Sequence, residues 1–396
     1  MIARDSDSNP GIRILYLTAE SSKEPIIQSQ VVNLLGRMAG YDEISRITLI
    51  TFDDMQGGSE DPSHVSRKIK HILKKNRGDL RNIVVSVYHA LANRREYDLL
   101  HVRSYLPMFA AVLAKVLYGK KVLFDPRGLF AEEQSYFERR RFVTFIFKRL
   151  ERLFCAVSDA IVVVSEPFKE HLLARYALPP HRVTVIPTFS SPYEDRTRET
   201  GDVDLRKMLH WEDSTIFVYS GSLGQWQMIE EVITFFSHVR DRIANSRFLF
   251  LSAQTEELTK RLAGRLPVNA YAVYSVPSKE LSAHLSQCDF GVLFRTDHIV
   301  NRVSAPIKVK DYLIAGLPII ISDRVGDSSE FVRQNGFGIV LSDLSRDEMT
   351  RAIETIVDAG GAWDRNAIRC VSRACFDIGP VSQEYRKVYS NLSPRV

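Results

Sequence analysis

The stretch Ser304-Ala305-Pro306-Ile307-Lys308-Val309-Lys310-Asp311-Tyr312-Leu313-Ile314-Ala315-Gly316-Leu317-Pro318, followed by Ile319-Ile320-Ile321-Ser322, reads as one helix-to-strand unit. Ser304 is a candidate N-cap, and Pro306 in the first turn forfeits no intrahelical bond. Val309, Leu313 and Ile314 form an apolar stripe, Gly316 falls where a left-handed cap belongs, and Pro318 stops the helix. The apolar run that follows predicts a strand buried in a parallel sheet. The opening end of such a helix exposes unpaired N–H groups and the positive end of its dipole, to which Lys308 adds a full charge. That end suits an anion. Asp311, one turn further on the same side, is placed to accept bonds from sugar hydroxyls. A plain helix–strand joint with surface lysines and a solvated Asp311 explains the segment as well.

The chain of 396 residues has room for two domains with full hydrophobic cores. A hydrophobic share of 45% and a charged share of 26% are those of a soluble globular protein. No apolar run reaches the roughly 20 residues of a membrane-spanning helix. A net charge of +5 is mildly basic and compatible with an anionic ligand or surface. Cys155, Cys288, Cys370 and Cys375 have no zinc or redox spacing and suit a reducing compartment. Met1 to Pro10 is polar, without the pattern of a signal peptide. The expectation is a cytoplasmic protein, within reach of the inner face of the membrane.

Outward from the opening stretch, strands alternate with helices along the chain, the signature of a parallel sheet covered on both faces. Ile12 to Leu17 reads as a first buried strand, Thr18 to Gln28 as a loop, and a helix is expected from about Ser29 to Met38. Ile47 to Phe52 is a strand. Ser63 to Asp79, rich in Lys and Arg, predicts an exposed helix and turn, and Ile83 to Val87 and Leu99 to Val102 predict short strands. Met108 to Leu117 is a helix closed by Gly119. Val122 to Phe124 is a strand leading into Asp125-Pro126-Arg127-Gly128. One long helix is expected from Phe137 to Val157, where Phe142, Phe145, Ile146, Leu150, Leu153 and Phe154 interleave with Arg139, Arg140, Arg141, Lys148, Arg149 and Arg152. It fits a core helix with a solvated basic face, or peripheral contact of 137–157 with an anionic membrane or a lipid-linked phosphate. Nothing in it suggests nucleic acid.

Ile161 to Val164 is a strand, a helix runs to Tyr176, and Val183 to Ile186 closes this half. Thr188 to Asp204 then turns polar and charged, as a linker does. The second half restarts the alternation, with strands at Ile216–Tyr219, Phe248–Leu251, Ala270–Tyr274, Phe290–Leu293 and Ile339–Leu341, and helices at Ile229–Val239, from Arg346 and from Ser382. Domains are expected over 1–190 and 203–365, with C-terminal helices over 366–396 packing back toward the first. Two α/β domains on a short hinge place a cleft at the carboxyl ends of their sheets, where ligands of such sheets bind.

Gly221-Ser222-Leu223-Gly224 follows a strand and opens a helix, as a phosphate-facing loop should. It lacks the Gly-x-Gly-x-x-Gly spacing of a dinucleotide fold and the Lys-Ser/Thr of a P-loop, and a tight turn explains it as well. Asp53-Asp54 is an adjacent pair, read as a turn and not as an Asp-x-Asp metal motif. Glu132 and Glu133 are placed to act near an acceptor, but are read first as exposed loop carboxylates.

With the opening segment, Gly221-Ser222-Leu223-Gly224, Glu330-Phe331-Val332 and Gly336-Phe337-Gly338-Ile339-Val340 resemble the donor half of family 4 retaining glycosyltransferases of the GT-B fold. In the first half, Phe124 to Phe130, Asp159 to Ser165 and Val183-Thr184-Val185-Ile186-Pro187 match the same pattern. The resemblance covers nearly the whole chain. It implies two Rossmann-like doubly wound α/β domains facing each other across a cleft, with a nucleotide-diphosphate sugar held by the second. Backbone groups at Ser304, Ala305, Pro306 and Ile307 would face the diphosphate, with Lys308 neutralising it and Gly221 and Ser222 closing the other side. Asp311 would take the ribose hydroxyls, where the family usually has Glu, and the base would lie near Tyr274-Ser275-Val276. Lys308 and Arg127 would carry catalysis, and Gln30 would lie on the acceptor side.

Three departures accompany the likeness. Eight residues before Asp311, where the family has a second acid, stands Val303. The basic pair that often flanks the diphosphate falls on Ser222 and Gln227. Arg127 stands where a His is often found. The resemblance implies a metal-independent, retaining hexosyltransferase, needing no cofactor beyond its nucleotide-sugar substrate. The acceptor would be a glycan or lipid-linked precursor in polysaccharide biosynthesis. Two other classes remain: a nucleotide-sugar epimerase, which needs a pair of acid/base carboxylates, and a catalytically inactive GT-B scaffold or partner subunit, to which Val303, Ser222 and Gln227 point.

Overall fold

The computed structural model describes residues 11–53, 65–138, 141–190, 204–277, 280–360 and 362–393. The chain forms two units. One comprises 1–164, 169–186 and 378–396, the other 165–168 and 187–377.

The first unit is built on seven parallel strands: β1 (Ile12–Thr18), β2 (Ile44–Asp53), β3 (Ile69–Lys75), β4 (Leu99–Arg103), β5 (Lys121–Asp125), β6 (Ala160–Val163) and β7 (Val183–Val185). Their order is β3-β2-β1-β4-β5-β6-β7, with the direction of winding reversing between β1 and β4. The helices in chain order are α1 (Pro25–Ile27), α2 (Asn33–Ala39), α3 (Asp79–Ala92), α4 (Met108–Tyr118), α5 (Phe130–Glu138), α6 (Arg141–Val157) and α7 (Glu166–Tyr176).

Several expectations are corrected here. The helix expected from Ser29 begins at Pro25 and passes through a π-helical turn, Gln28–Val32. The helix and turn expected over Ser63–Asp79 is instead the strand β3, with Ser63 and His64 outside the described residues. Among the described residues β3 pairs with β2 alone, and Lys70, Lys74 and Lys75 suit such an edge, which lysines protect from further pairing. Ile83–Val87, expected as a strand, lies within α3. Its β-branched run misleads because the buried period is carried by small residues, Asn82, Ser86 and Ala90, one per turn. The single helix expected over Phe137–Val157 is two, α5 and α6; Arg139 and Arg140 lie outside the described residues. Asp53 is not in a turn: it ends β2, buried, and accepts from Ser22 N at 2.7 Å and Ser22 Oγ at 2.6 Å. Asp54 is outside the described residues.

The second unit has six parallel strands: β8 (Thr215–Ser220), β9 (Ser246–Leu251), β10 (Tyr271–Tyr274), β11 (Phe290–Leu293), β12 (Ile319–Ser322) and β13 (Gly338–Leu341), in the order β10-β9-β8-β11-β12-β13. Around them run α8 (Leu205–Met208), α9 (Ile229–Arg242), α10 (Thr255–Leu262), α11 (Leu281–Ser286), α12 (Ile299–Arg302), α13 (Ile307–Ile314), α14 (Ser328–Asn335), α15 (Arg346–Ala359) and α16 (Arg365–Phe376). Side chains alternate across this sheet, as period two requires. Phe217, Phe248 and Phe290 stack into one core with Phe235 and Phe236 of α9, while Ile216, Val218, Leu249, Ile319 and Ile321 enter the other with α13. Of the linker Thr188–Asp204, residues 191–203 are outside the description.

The residues taken together as 366–396 divide at Asp377: α16 belongs to the second unit, and α17 (Ile378–Leu392) to the first. α17 is fixed there by polar contacts, Tyr389 Oη to His101 Nδ1 at 2.6 Å, Tyr41 Oη to Ser382 Oγ at 2.9 Å, and an ion pair between Arg386 and Glu43.

Candidate donor site

In the second unit the winding reverses between β8 and β11, so the carboxyl ends of these strands frame a natural crevice. α13 delivers Lys308 there. Its cap position is Pro306, with φ −60° and ψ 125°, and makes no side-chain cap. The expected N-cap Ser304 instead donates its hydroxyl to Asn301 O at 2.8 Å and belongs to the preceding turn. Ala305 is fixed through its carbonyl, which accepts from Thr188 Oγ1 at 2.9 Å. Ile307 and Lys308 therefore open α13 with N–H groups that the helix itself cannot satisfy. Behind them Tyr312 ties the helix to the sheet by accepting from Ser220 N at 2.7 Å.

The Lys308 side chain crosses the end of β8. Its Nζ donates to Gln227 Oε1 at 2.6 Å and lies 4.8 Å from the centroid of the Tyr219 ring. Gly221, at φ +136°, is the residue that lets it pass: a Cβ there would collide with the Lys308 ammonium. Ser222 is exposed, and its carbonyl accepts from Tyr219 Oη at 2.7 Å.

Arg295, two residues beyond β11, converges on the same loop. It is 8% exposed, its Nη1 donates to Trp226 O at 3.0 Å, and its Nε is buried with no partner. Among the described residues neither Lys308 nor Arg295 has a carboxylate within ion-pair distance. Burial, and then the charge of Arg295, hold the Lys308 ammonium well below its usual pKa. Burial lowers Arg295 to about 10. Two basic groups thus share one crevice, and among the described residues no carboxylate pairs directly with either.

Asp311, one turn on, accepts from Ser190 Oγ at 2.7 Å. Burial pushes its carboxyl up to about 6, despite the Ser190 bond and the charges of Lys310 and Lys308. Lys310 is buried on the other side of α13, with Nζ 3.1 Å from Ser328 Oγ, and burial lowers it to about 8. Val303 is buried and follows α12. Val276, two residues past β10, packs partly buried against the core that contains Leu249 and Leu285. A separate pocket lies at the amino ends of β8 and β11, between Arg206, Trp363 and Arg365, away from these groups.

The structure thus brings Gly221 and Lys308 together and sets Asp311 on the same helix. Sequence reading missed Arg295 and the part played by Gln227. The signal for Arg295 was a lone arginine directly after the apolar run Phe290–Phe294.

In the first unit, Arg127 follows β5 in the left-handed region, φ +65°. Its Nη1 is 3.4 Å from Asp125 Oδ2. Asp125 is buried, which raises its pKa, yet the charges of Arg127 and Arg103 outweigh this and hold it below the usual carboxylate range. His101 Nε2 stands 3.8 Å from Asp125 Oδ2 without a hydrogen bond, and burial holds the imidazole neutral. Gln30 is buried within the π-helical turn, a rare local geometry that frequently marks functional sites. Glu132 and Glu133 are not in a loop: both sit in the first turn of α5, Glu132 paired with Lys148 at 2.9 Å and Glu133 raised by burial. Among the described residues no group of three His, Cys, Asp or Glu side chains is arranged to hold a metal, and no helix is long and apolar enough to cross a membrane.

Two family models match the chain. Glycosyltransferase Family 4 covers residues 43–190, and the Glucosyltransferase 3-like C-terminal domain covers residues 257–360. Among solved structures, Anabaena HepE in complex with UDP and glucose is similar with a TM-score of 0.71 at 13% identity, over 96% of this chain and 100% of its own. A glycosyltransferase from Rickettsia africae gives 0.68 at 15% identity, over 96% and 98%. Sucrose-phosphate synthase from Thermosynechococcus elongatus gives 0.70 at 15% identity, over 96% and 99%. No curated protein sequence matches the chain.

Proposed function

We propose that this chain, a family 4-like glycosyltransferase of the GT-B fold, takes a nucleotide-diphosphate sugar in its second unit and transfers the sugar with retention to a glycan or lipid-linked acceptor in polysaccharide assembly. The observation that carries the donor reading is the pair Lys308 and Arg295, two enclosed basic groups that among the described residues have no carboxylate at ion-pair distance, at the reversal point of the sheet. Departure of the nucleoside diphosphate builds negative charge on its phosphates. Lys308, Arg295 and the first-turn N–H groups of α13 are positioned to stabilise that charge, which supports chemistry without a metal. Arg295 supplies the positive charge that Ser222 and Gln227 lack, and Gln227 aims Lys308 instead. Asp311 takes the ribose hydroxyls, and the backbone near Val276 takes the base. Arg127 and Gln30 belong to the acceptor half.

HepE was solved with UDP and glucose, so UDP-sugars are the first donors to test. Nucleoside diphosphate release should be followed with each donor, on the natural chain and on Lys308→Met. Release from one donor, lost in the variant, supports the reading, and proton NMR of the product reports whether the anomeric configuration is retained. Conversion to an epimeric nucleotide sugar would establish the epimerase instead. A second reading, an inactive scaffold, is favoured by the buried Val303 at the position of the family's second acid. Absence of both donor binding and release would establish it.

A further inference from the structure

α3, α4 and α6 connect β3 to β4, β4 to β5 and β5 to β6. All three step the same way across the sheet, so right-handed crossovers place them on one face of the first unit. α3 packs beside α4, and α4 beside α6.

Each turns large apolar side chains outward. On α3, Leu80, Val84 and Tyr88 follow one another at a spacing of four residues, with Leu80 76% exposed. On α4 they are Leu113, Val116 and Leu117, with Val116 71% exposed. On α6 they are Phe142, Phe145, Ile146 and Leu153, with Phe142 75% exposed. α6 buries Phe154 and Cys155, but it also buries Thr144 and Glu151 while it exposes these four. A sheet-covering helix normally hides its apolar stripe, and a contiguous exposed patch marks an interaction surface.

The charge on this face identifies the partner. Arg81 lies on the outer stripe of α3, and Arg149 and Arg152 lie on that of α6. Among the described residues none of the three has an ion pair, and the Arg149 guanidinium rests 5.2 Å from the Phe145 ring centroid. Glu151 of α6 is turned inward to Tyr105 and Tyr176, and Asp159 is taken by Lys115 and Lys121. A second copy of the chain docked on the same face would set this arginine-bearing patch against the same patch, as a two-fold contact does, with few carboxylates to answer Arg81, Arg149 and Arg152. An anionic lipid surface satisfies both features, since apolar side chains enter the acyl boundary while arginines reach the headgroups.

We propose that the α3–α4–α6 face of the first unit docks on anionic bilayers, with the three helices lying in the plane of the interface. The surface goes beyond the basic helix over 137–157, and it does not depend on the donor reading. The test is flotation of the full chain with vesicles of phosphatidylcholine, with or without phosphatidylglycerol. Val84→Glu, Val116→Glu and Phe145→Glu each place a carboxylate on one helix at a site already in solvent, so thermal unfolding should be unchanged. The chain should float with the phosphatidylglycerol vesicles and far less at high salt. Each substitution should reduce the bound fraction, and the three together should weaken partitioning about tenfold or more. A natural chain that stays at the bottom with anionic vesicles overturns the proposal. So does equal flotation of the triple variant, or an effect confined to Phe145→Glu. A dimer in solution that the triple variant dissolves would make the partner a second copy, and would also overturn it.

Discussion

Replacing Lys308 by methionine separates a ligand-binding cation from a structural strut, because the two roles carry opposite signatures. In the ligand-free protein the ammonium gains a charge-assisted bond to Gln227 at 2.6 Å and the face of the Tyr219 ring. Such a bond contributes roughly 1.5–3 kcal/mol, and the ring about 0.5–2 kcal/mol. Against this stands the desolvation of the charge beside Arg295, large enough to hold the amine well below its usual pKa. The opposing effects leave ligand-free Lys308→Met within about 1 kcal/mol of the natural chain. A bound diphosphate changes the balance by supplying the missing counter-charge. Its affinity should fall by roughly 1.5–3 kcal/mol, about ten- to a hundred-and-fifty-fold. Binding also draws a proton onto Lys308, because the anion favours the ammonium. For a base whose pKa is lowered in the free protein, affinity declines as pH rises through that lowered value. Titration calorimetry in buffers of different ionisation heat should show proton uptake in the natural chain and none in the variant. A stability loss above about 3 kcal/mol with unchanged nucleotide affinity would refute the assignment.

Gly221→Ala should cost about 1–3 kcal/mol of stability, measured by urea unfolding, because φ +136° and the Lys308 ammonium both exclude a methyl. Asp311→Asn tests the raised carboxyl. A group whose folded pKa is raised to about 6 contributes stability that is full below the ordinary carboxylate pKa and is lost as pH rises through about 6. The natural chain should therefore lose on the order of 2 kcal/mol more than the variant between about pH 4 and 7, read from paired denaturation curves. Tyr389→Phe removes the partner of the buried His101 and should cost about 1–3 kcal/mol while leaving nucleotide affinity unchanged. Chelation of divalent metals should leave donor turnover unchanged, and loss on chelation that returns with added metal would contradict the charge assignment.

The fold was legible wherever burial was two-sided. Ile319 to Ser322, Phe248 to Leu251 and Ile14 to Leu17 are strands enclosed on both faces, and their uninterrupted apolar runs mark them. Errors gathered at the rim of the first sheet, where that rule fails. β3 is an edge strand filled with lysines, and α3 shows its β-branched residues to solvent while burying Asn82, Ser86 and Ala90. The same inversion hid the docking face, since outward Leu80 and Val84 imitate a buried run. At the donor end, Lys308 and Gly221 could be singled out because a helix opening and a strand-to-helix turn have local signatures. Arg295 has none. Its position depends on β11 lying next to β8, a pairing between strands some 70 residues apart that only the assembled sheet reveals. Ser304 failed as a cap for a similar reason: its hydroxyl is taken by Asn301, in a helix that local pattern did not announce.

The central claim is that the second unit holds a nucleoside diphosphate at Lys308 and Arg295. The most direct measurement is a thermal-shift panel of UDP, GDP, dTDP, ADP and CDP on the natural chain and on Lys308→Met. A ligand at a hundred times its dissociation constant stabilises by roughly 2.7 kcal/mol, enough to move the transition of the unit that binds it. One nucleotide should raise the transition in the natural chain and fail to do so in the variant. A panel in which none of the five shifts it, or in which Lys308→Met responds equally, would contradict the account.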